Sequence, residues 1–243
     1  MAYEKTSATA HVQSLFDEST TQKLPLGTRL GLDDTRVYRY GLMGATASVS
    51  GSINQSAAAV ANHINLAIQT ATVIGDVDVK VTLGATATTL NQYAEGYLVA
   101  NAGTGKGYTY KIRNHALAAA SATQTVTIYD PIVVAGPTSA KMSLHKHPFK
   151  DVIIHPSAPT AVLVGPAAKG VLTAATYGWF QTWGPASVLG DGTPGSGVEL
   201  AASDLVDGAV EVYAVATGPK VGVMLNTASV DTELRPVVLM LWP

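Results

Sequence analysis

Six histidines, 17 acidic residues and no cysteine set the chemical repertoire of this 243-residue chain. The absence of cysteine removes disulfides, thiolate metal sites and a thiol nucleophile together. In the stretch HKHP, His145 and His147 alternate so as to project from one side of a strand, and His155 follows closely, with Asp151 the one acid at ligand spacing. Imidazoles sharing a face are the donor set of a facial metal site. A polar strand edge or a subunit contact explains the same spacing, because imidazole is a common interface group. The expectation is therefore no metal and no cofactor, with these three histidines held as the alternative.

The remaining motifs point to structure more than to chemistry. AGTGKG at 102–107 resembles a phosphate-cradling loop, but Ala100 stands where the first glycine belongs and Gly107 follows Lys106. Strand-like sequence on both sides, without a following helix, makes it a turn. Two carboxylate pairs, Asp33 with Asp34 and Asp204 with Asp207, sit among turn formers, where Asp is favoured for its backbone hydrogen bonds. No GxSxG elbow occurs, and Ser187 in GPAS is expected at a strand end beside Pro185. In YGWFQTWGP, Trp179 and Trp183 share one strand face. They suit a core or an interface, with Trp183 the contact residue; a stacking platform for sugars is the alternative. No residue is expected to be catalytic.

Charged residues make up only 13% of the chain, against roughly a quarter in an average soluble domain. A surface of small polar residues tolerates so few charges, and so does a surface covered by neighbouring subunits. With 15 basic and 17 acidic side chains the net charge is −2, which leaves no footprint for nucleic acid or for an anionic membrane. No run approaches the roughly 18 apolar residues of a membrane span, and the N-terminus lacks a signal-peptide core. The chain is expected to be made in the cytoplasm and to need neither nucleic acid nor membrane.

These residues must be positioned by strands. Residues 1–25 are polar, with only Val12, Leu15 and Phe16 to bury, and read as an extended arm that orders on a partner. Residues 26–53 are glycine-punctuated, and Tyr38 and Tyr40 alternate with Val37 and Arg39 around an Asp33–Asp34 turn, which predicts a hairpin. Residues 56–71 are ambiguous by periodicity, with a helical face possible and a strand favoured over it. From 73 to 83, Val77, Val79, Val81 and Leu83 alternate with polar residues, predicting a half-buried strand. Further strands are expected at 95–99, 108–113, 125–129 and 141–144. Beyond residue 149 the short apolar runs bounded by Gly and Pro predict a compact barrel or sandwich. The fold class is thus mainly β with little helix: an arm (1–25), a hairpin-rich domain (26–148) and a compact, β-tulip-like domain (149–243).

Three stretches carry a resemblance: LGTRLGLDDTRVYRYGLMGATASVSGSI from Leu26, VTLGATATTLNQYAEGYLVANAGTGKGYTYKI from Val81, and YGWFQTWGPASVLGDGT from Tyr177, followed by VGVMLN. Together they resemble virion proteins of tailed bacteriophages, most closely the capsid decoration or cement proteins, over most of the chain beyond the arm. The resemblance implies a β-rich body on the outer capsid surface, a homotrimer, and an extended terminal segment paired with the major capsid protein. The interaction residues it implies, together with the apolar patterning, are Val12, Leu15, Phe16, Tyr38, Tyr40, Trp179 and Trp183. A carbohydrate-binding head fibre, a receptor-binding protein and a tail structural protein are the alternatives; a major capsid protein lacks its long helix here.

Overall fold

A computed structural model describes residues 12–157, 160–214, 218–226 and 233–243. It is almost wholly β, with antiparallel sheets and, among the described residues, no α-helix. The first strands are β1 (Arg29–Gly31), β2 (Val37–Leu42) and β3 (Asn54–Gln55). Next come β4 (Leu66–Ile68), β5 (Asp78–Thr82), β6 (Tyr97–Ala102), β7 (Thr109–His115), β8 (Thr123–Ile128) and β9 (Lys141–His145). The last are β10 (Ile153–Ile154), β11 (Leu163–Val164), β12 (Tyr177–Leu189), β13 (Glu199–Ala202), β14 (Val210–Val212), β15 (Lys220–Met224) and β16 (Leu234–Met240).

Two compact units emerge: Ala58–His147, and the flanking parts up to Ala57 and from Pro148. One unit is thus inserted into the other. Residues 26–57, expected to belong with the first half of the chain, instead join the C-terminal half. The reason is strand pairing: β2 lies against β12 from Leu42↔Tyr177 to Tyr38↔Gln181, 135 or more residues apart in sequence. The hairpin β1–β2 with Asp33 and Asp34 in its turn forms as the sequence predicts.

In the flanking unit, seven strands order as β1-β2-β12-β16-β15-β13-β14, and a smaller sheet orders as β10-β3-β11. Ile53, just before β3, and Leu163 of β11 share one buried cluster with Val188, Leu200, Val237 and Leu239 of the larger sheet. β12 is the axis of this unit. Its first half pairs with β2 and its second with β16, from Trp183↔Met240 to Leu189↔Leu234, and the register against β2 shifts between Gln181 and Trp183. Ser187, expected at a strand end, therefore lies inside a 13-residue strand opposite Pro236. At the shift the buried Thr182 hydroxyl donates to the Trp242 carbonyl at 2.7 Å. Gly184 there has φ +82°, a conformation that favours glycine.

The inserted unit, expected to be hairpin-rich, closes into a barrel in the order β4-β5-β8-β7-β6-β9, whereas the C-terminal part, expected as a barrel or sandwich, contributes to the seven-stranded and three-stranded sheets. The alternation in β5 is realised: Val79 and Val81 are fully buried among Leu98, Ile112, Val126 and Leu144, while Asp78, Lys80 and Thr82 face outward. The ambiguous 56–71 segment has a 3-10 turn at Ala61–His63 and then β4, and no α-helix. Closure leaves the barrel no unpaired strand edge.

Gly165 sits where a Cβ would lie 1.7 Å from the Gln181 carbonyl oxygen of β12, whereas at Gly195 it would meet only Val198 Cγ2, at an ordinary 3.9 Å. All three tryptophans belong to this unit, so tryptophan emission reports it alone. Urea unfolding followed by that emission is expected to show Gly165→Ala destabilised by about 1–3 kcal/mol, the usual cost of overpacking, and Gly195→Ala within about 0.5 kcal/mol of wild type.

Candidate functional site

The expected interaction residues fall into two groups. Leu15, Tyr38, Tyr40 and Trp179 form one buried cluster with Leu30, and Trp179 is 1% exposed. Val12 and Phe16 are exposed, and Trp183 is half-buried. The described part of the arm is therefore not extended: residues 13–19 lie across this cluster as a strap. The rest of the expected arm, residues 1–11, lies outside the described residues.

The strap is fastened by polar groups that water would otherwise hold. The Tyr40 hydroxyl donates to Gln13 Oε1 at 2.7 Å, Trp179 Nε1 donates to the Gln13 carbonyl at 3.3 Å, and Gln13 Nε2 donates to the Tyr177 carbonyl at 3.0 Å. Ser19 and Tyr177 exchange backbone hydrogen bonds at 3.0 and 2.8 Å. Trp179 packs edge-on to Tyr40 with ring centres 5.3 Å apart. Burial pushes the Tyr40 phenol upward. With Trp179 enclosed, the aromatic run cannot offer two exposed faces to a sugar, and the platform alternative fails on its own residues. The sequence signal was ambiguous because large aromatics serve cores and contacts alike.

The histidines divide between the two units. His145 and His147 belong to the barrel unit and His155 to the other. His155 is fully buried, with Nδ1 and Nε2 each 2.9 Å from a carbonyl oxygen, of Pro156 and Ala209. His147 stacks on Tyr97 at 5.9 Å, and burial lowers the pKa of His145. Among the described residues no three His, Cys, Asp or Glu are arranged to hold a metal ion. Asp34 takes the Arg36 guanidinium at 2.6 Å, which holds its carboxyl below the usual range, and Asp207 accepts the Ser157 N–H at 2.7 Å. Gly103, Gly105 and Gly107 all have positive φ in the β6–β7 hairpin loop, a turn as expected.

A polar cluster inside the barrel gave no sequence signal, because its members are far apart in the chain. His63 Nε2 donates to the Thr86 carbonyl at 2.9 Å, leaving Nδ1 to accept from the Tyr93 hydroxyl at 2.5 Å. His115 Nδ1 donates to the Ala116 carbonyl, and its Nε2 accepts the Tyr93 backbone N–H at 2.9 Å. Burial raises the Tyr93 phenol well above its ordinary value. The ring nitrogens of both histidines are thus engaged in hydrogen bonds within the barrel unit.

What the barrel does present is apolar side chains on its loops. At one end the β4–β5 and β8–β9 loops are knitted together: Gly75 N–H donates to the Ile132 carbonyl at 2.9 Å, and Ile132 N–H to the Asp76 carbonyl at 2.8 Å. This end exposes Val73, Ile74, Val77, Tyr129 and Val133. Register places Thr88–Ala118 at the other end, where the two residues exchange backbone hydrogen bonds and Leu90 and Leu117 are exposed. Apolar groups gathered outward on hydrogen-bonded loops are the candidate contact surfaces of this unit. No such surface was named from sequence, since an exposed and a buried valine look alike in a short apolar run. Comparison with family models, characterised proteins and solved structures finds no match.

Glu18 fastens the strap electrostatically. Hydrogen bonding from Lys169 at 2.7 Å, and then from the Thr173 backbone, lowers its carboxyl to about 2 from an ordinary 4.5. A lowered folded-state pKa contributes stability above the unfolded value that is lost as pH falls from about 4.5 toward 2. The pair is partly solvated, so its worth is at most about 1 kcal/mol, or about fivefold. Hydrogen exchange at the Ser19 and Tyr177 amides is expected to rise by up to about that factor in Glu18→Gln at pH 7, and the wild type is expected to approach the variant on acidification.

Proposed function

We propose that this chain is a capsid decoration, or cement, protein of a tailed phage, binding the outer surface of the major capsid protein lattice and stabilising the head against internal DNA pressure. It acts as a homotrimer on the virion surface, without enzymatic activity, nucleic acid or membrane. The observation that carries this function is the pair of exposed apolar surfaces at the two ends of one closed barrel. A cement must touch at least two things at once, and a barrel without sheet edges holds two faces at a fixed separation.

Three further features support it. The resemblance of the 26–53, 81–112 and 177–193 stretches is to virion proteins. With charged residues at 13%, little charge has to be desolvated when neighbours cover the surface. Repetition over a lattice then multiplies modest contacts, because each new attachment within a trimer occurs at high effective concentration. Attachment is assigned to the barrel loops, since the strap from Gln13 to Ser19 is already engaged within its own unit.

Purified heads are expected to carry the chain at a fixed, stoichiometric copy number. A chain with Leu90→Ser and Leu117→Ser is expected to rebind stripped heads at least about tenfold more weakly, since burying each leucine is worth about 1.5–3 kcal/mol, while its circular dichroism stays unchanged. Absence from purified heads would remove the function. Undiminished rebinding would move the contact away from these loops.

A further inference from the structure

His155 is fully buried, and its two ring nitrogens face the same kind of group. Nδ1 lies 2.9 Å from the Pro156 carbonyl oxygen and Nε2 2.9 Å from that of Ala209. A carbonyl oxygen only accepts hydrogen bonds, whereas a neutral imidazole has one N–H and one lone pair. In either neutral tautomer a lone pair would point at a carbonyl lone pair inside the core, where an unmatched polar atom is costly. The imidazolium, a donor at both nitrogens, fits both partners, and each bond then has the length of a charge-assisted one. His115 of the barrel shows the opposite pattern. Its Nδ1 meets the Ala116 carbonyl at 2.8 Å, but its Nε2 accepts the Tyr93 backbone N–H at 2.9 Å, which suits a neutral ring.

The Ala209 carbonyl closes a loop, since it also accepts the Ser203 N–H at 2.9 Å. The Ser203–Ala209 segment so formed is tied to its surroundings next to His155. Gly208 N–H donates to the His155 carbonyl at 2.9 Å, and Ile53 N–H donates to the Gly208 carbonyl at 2.8 Å. Of the segments that meet His155, residues 53–55 carry no ionisable side chain, and 203–209 carries Asp204 and Asp207. The Asp207 carboxylate accepts the Ser157 N–H at 2.7 Å. The ionisable groups facing the ring from this segment are therefore acids, and it sets no positive charge against a cation there. Leu205, 77% exposed, is carried outward on the same segment.

We propose that His155 is a buried imidazolium whose second proton locks the Ser203–Ala209 segment to the body of the flanking unit. With both protons in place, the ring bridges the Pro156 and Ala209 carbonyls and the segment is held from its side chain and its backbone together. Loss of one proton turns a lone pair toward one of the two oxygens, that bond becomes a repulsion, and the segment bearing Leu205 loosens. The device is a proton-dependent switch within one unit. It goes beyond the cement function and stands without it.

The test reads the protons directly. Nuclear magnetic resonance of the full chain with isotope-labelled histidine, at neutral pH, is expected to show both ring nitrogens of His155 protonated and His115 with one bare nitrogen. A bare nitrogen on His155 at that pH would overturn the proposal. The pH is then raised until the second proton leaves. Hydrogen exchange at the Gly208 and Ala209 amides, corrected for its intrinsic base catalysis, is expected to rise by about fivefold, the difference between a charge-assisted and a neutral hydrogen bond. His155→Gln, whose amide donates without titrating, is expected to show no such rise. Flat exchange in the wild type as the proton leaves, or the same rise in His155→Gln, would remove the lock. Head binding plays no part in these measurements, so its loss would count against the cement function alone.

Discussion

The flanking unit depends on one strand, β12, being shared between two partners that are themselves remote in sequence. Its first half takes hydrogen bonds from β2 and its second from β16, and the exchange occurs at a register shift where Thr182 is buried and Gly184 turns through a positive φ. The backbone polar groups of a strand must be paired on both sides once it is buried. A 13-residue strand that changes neighbours midway thus pulls the first and last segments of the chain into one sheet. The inserted barrel is free to fold within the interval because closure satisfies its own edges.

The strap is a second consequence of the same strand. Trp179 and Tyr177 lie on β12 and Tyr40 on its partner β2, so the aromatic cluster is built by that pairing. Gln13 then accepts from Tyr40 and Trp179 and donates across to Tyr177, satisfying donors and acceptors that would be costly to bury alone. The large aromatic area is used internally. The apolar area left exposed lies instead on aliphatic and tyrosine side chains of the barrel loops.

That division suits the proposed cement function. Interior polar groups such as His63, Tyr93 and His115 are matched atom for atom within the barrel, while the knitted loops hold Val73, Ile74, Leu90 and Leu117 outward. Rigid apolar projections lose little entropy on association, and a weakly charged surface costs little to desolvate.

The class of fold and many of its strands were legible in the order of residues. Alternation of Val79 and Val81 with Asp78, Lys80 and Thr82 follows from the two-residue period of a strand, and the glycines of 102–107 follow from the φ values a hairpin loop demands. The order of residues also marked the turn role of Asp33 and Asp34. Not legible there were which strands pair, that 26–57 belongs with the C-terminal half, that the barrel is the inserted unit, and that Leu15, Tyr38, Tyr40 and Trp179 are interior while Ile74 and Leu117 are not. Local periodicity records the period of an element and which side chains share a face. It carries no information on which distant segment covers that face, and burial, unlike strand geometry, is a property of the pair.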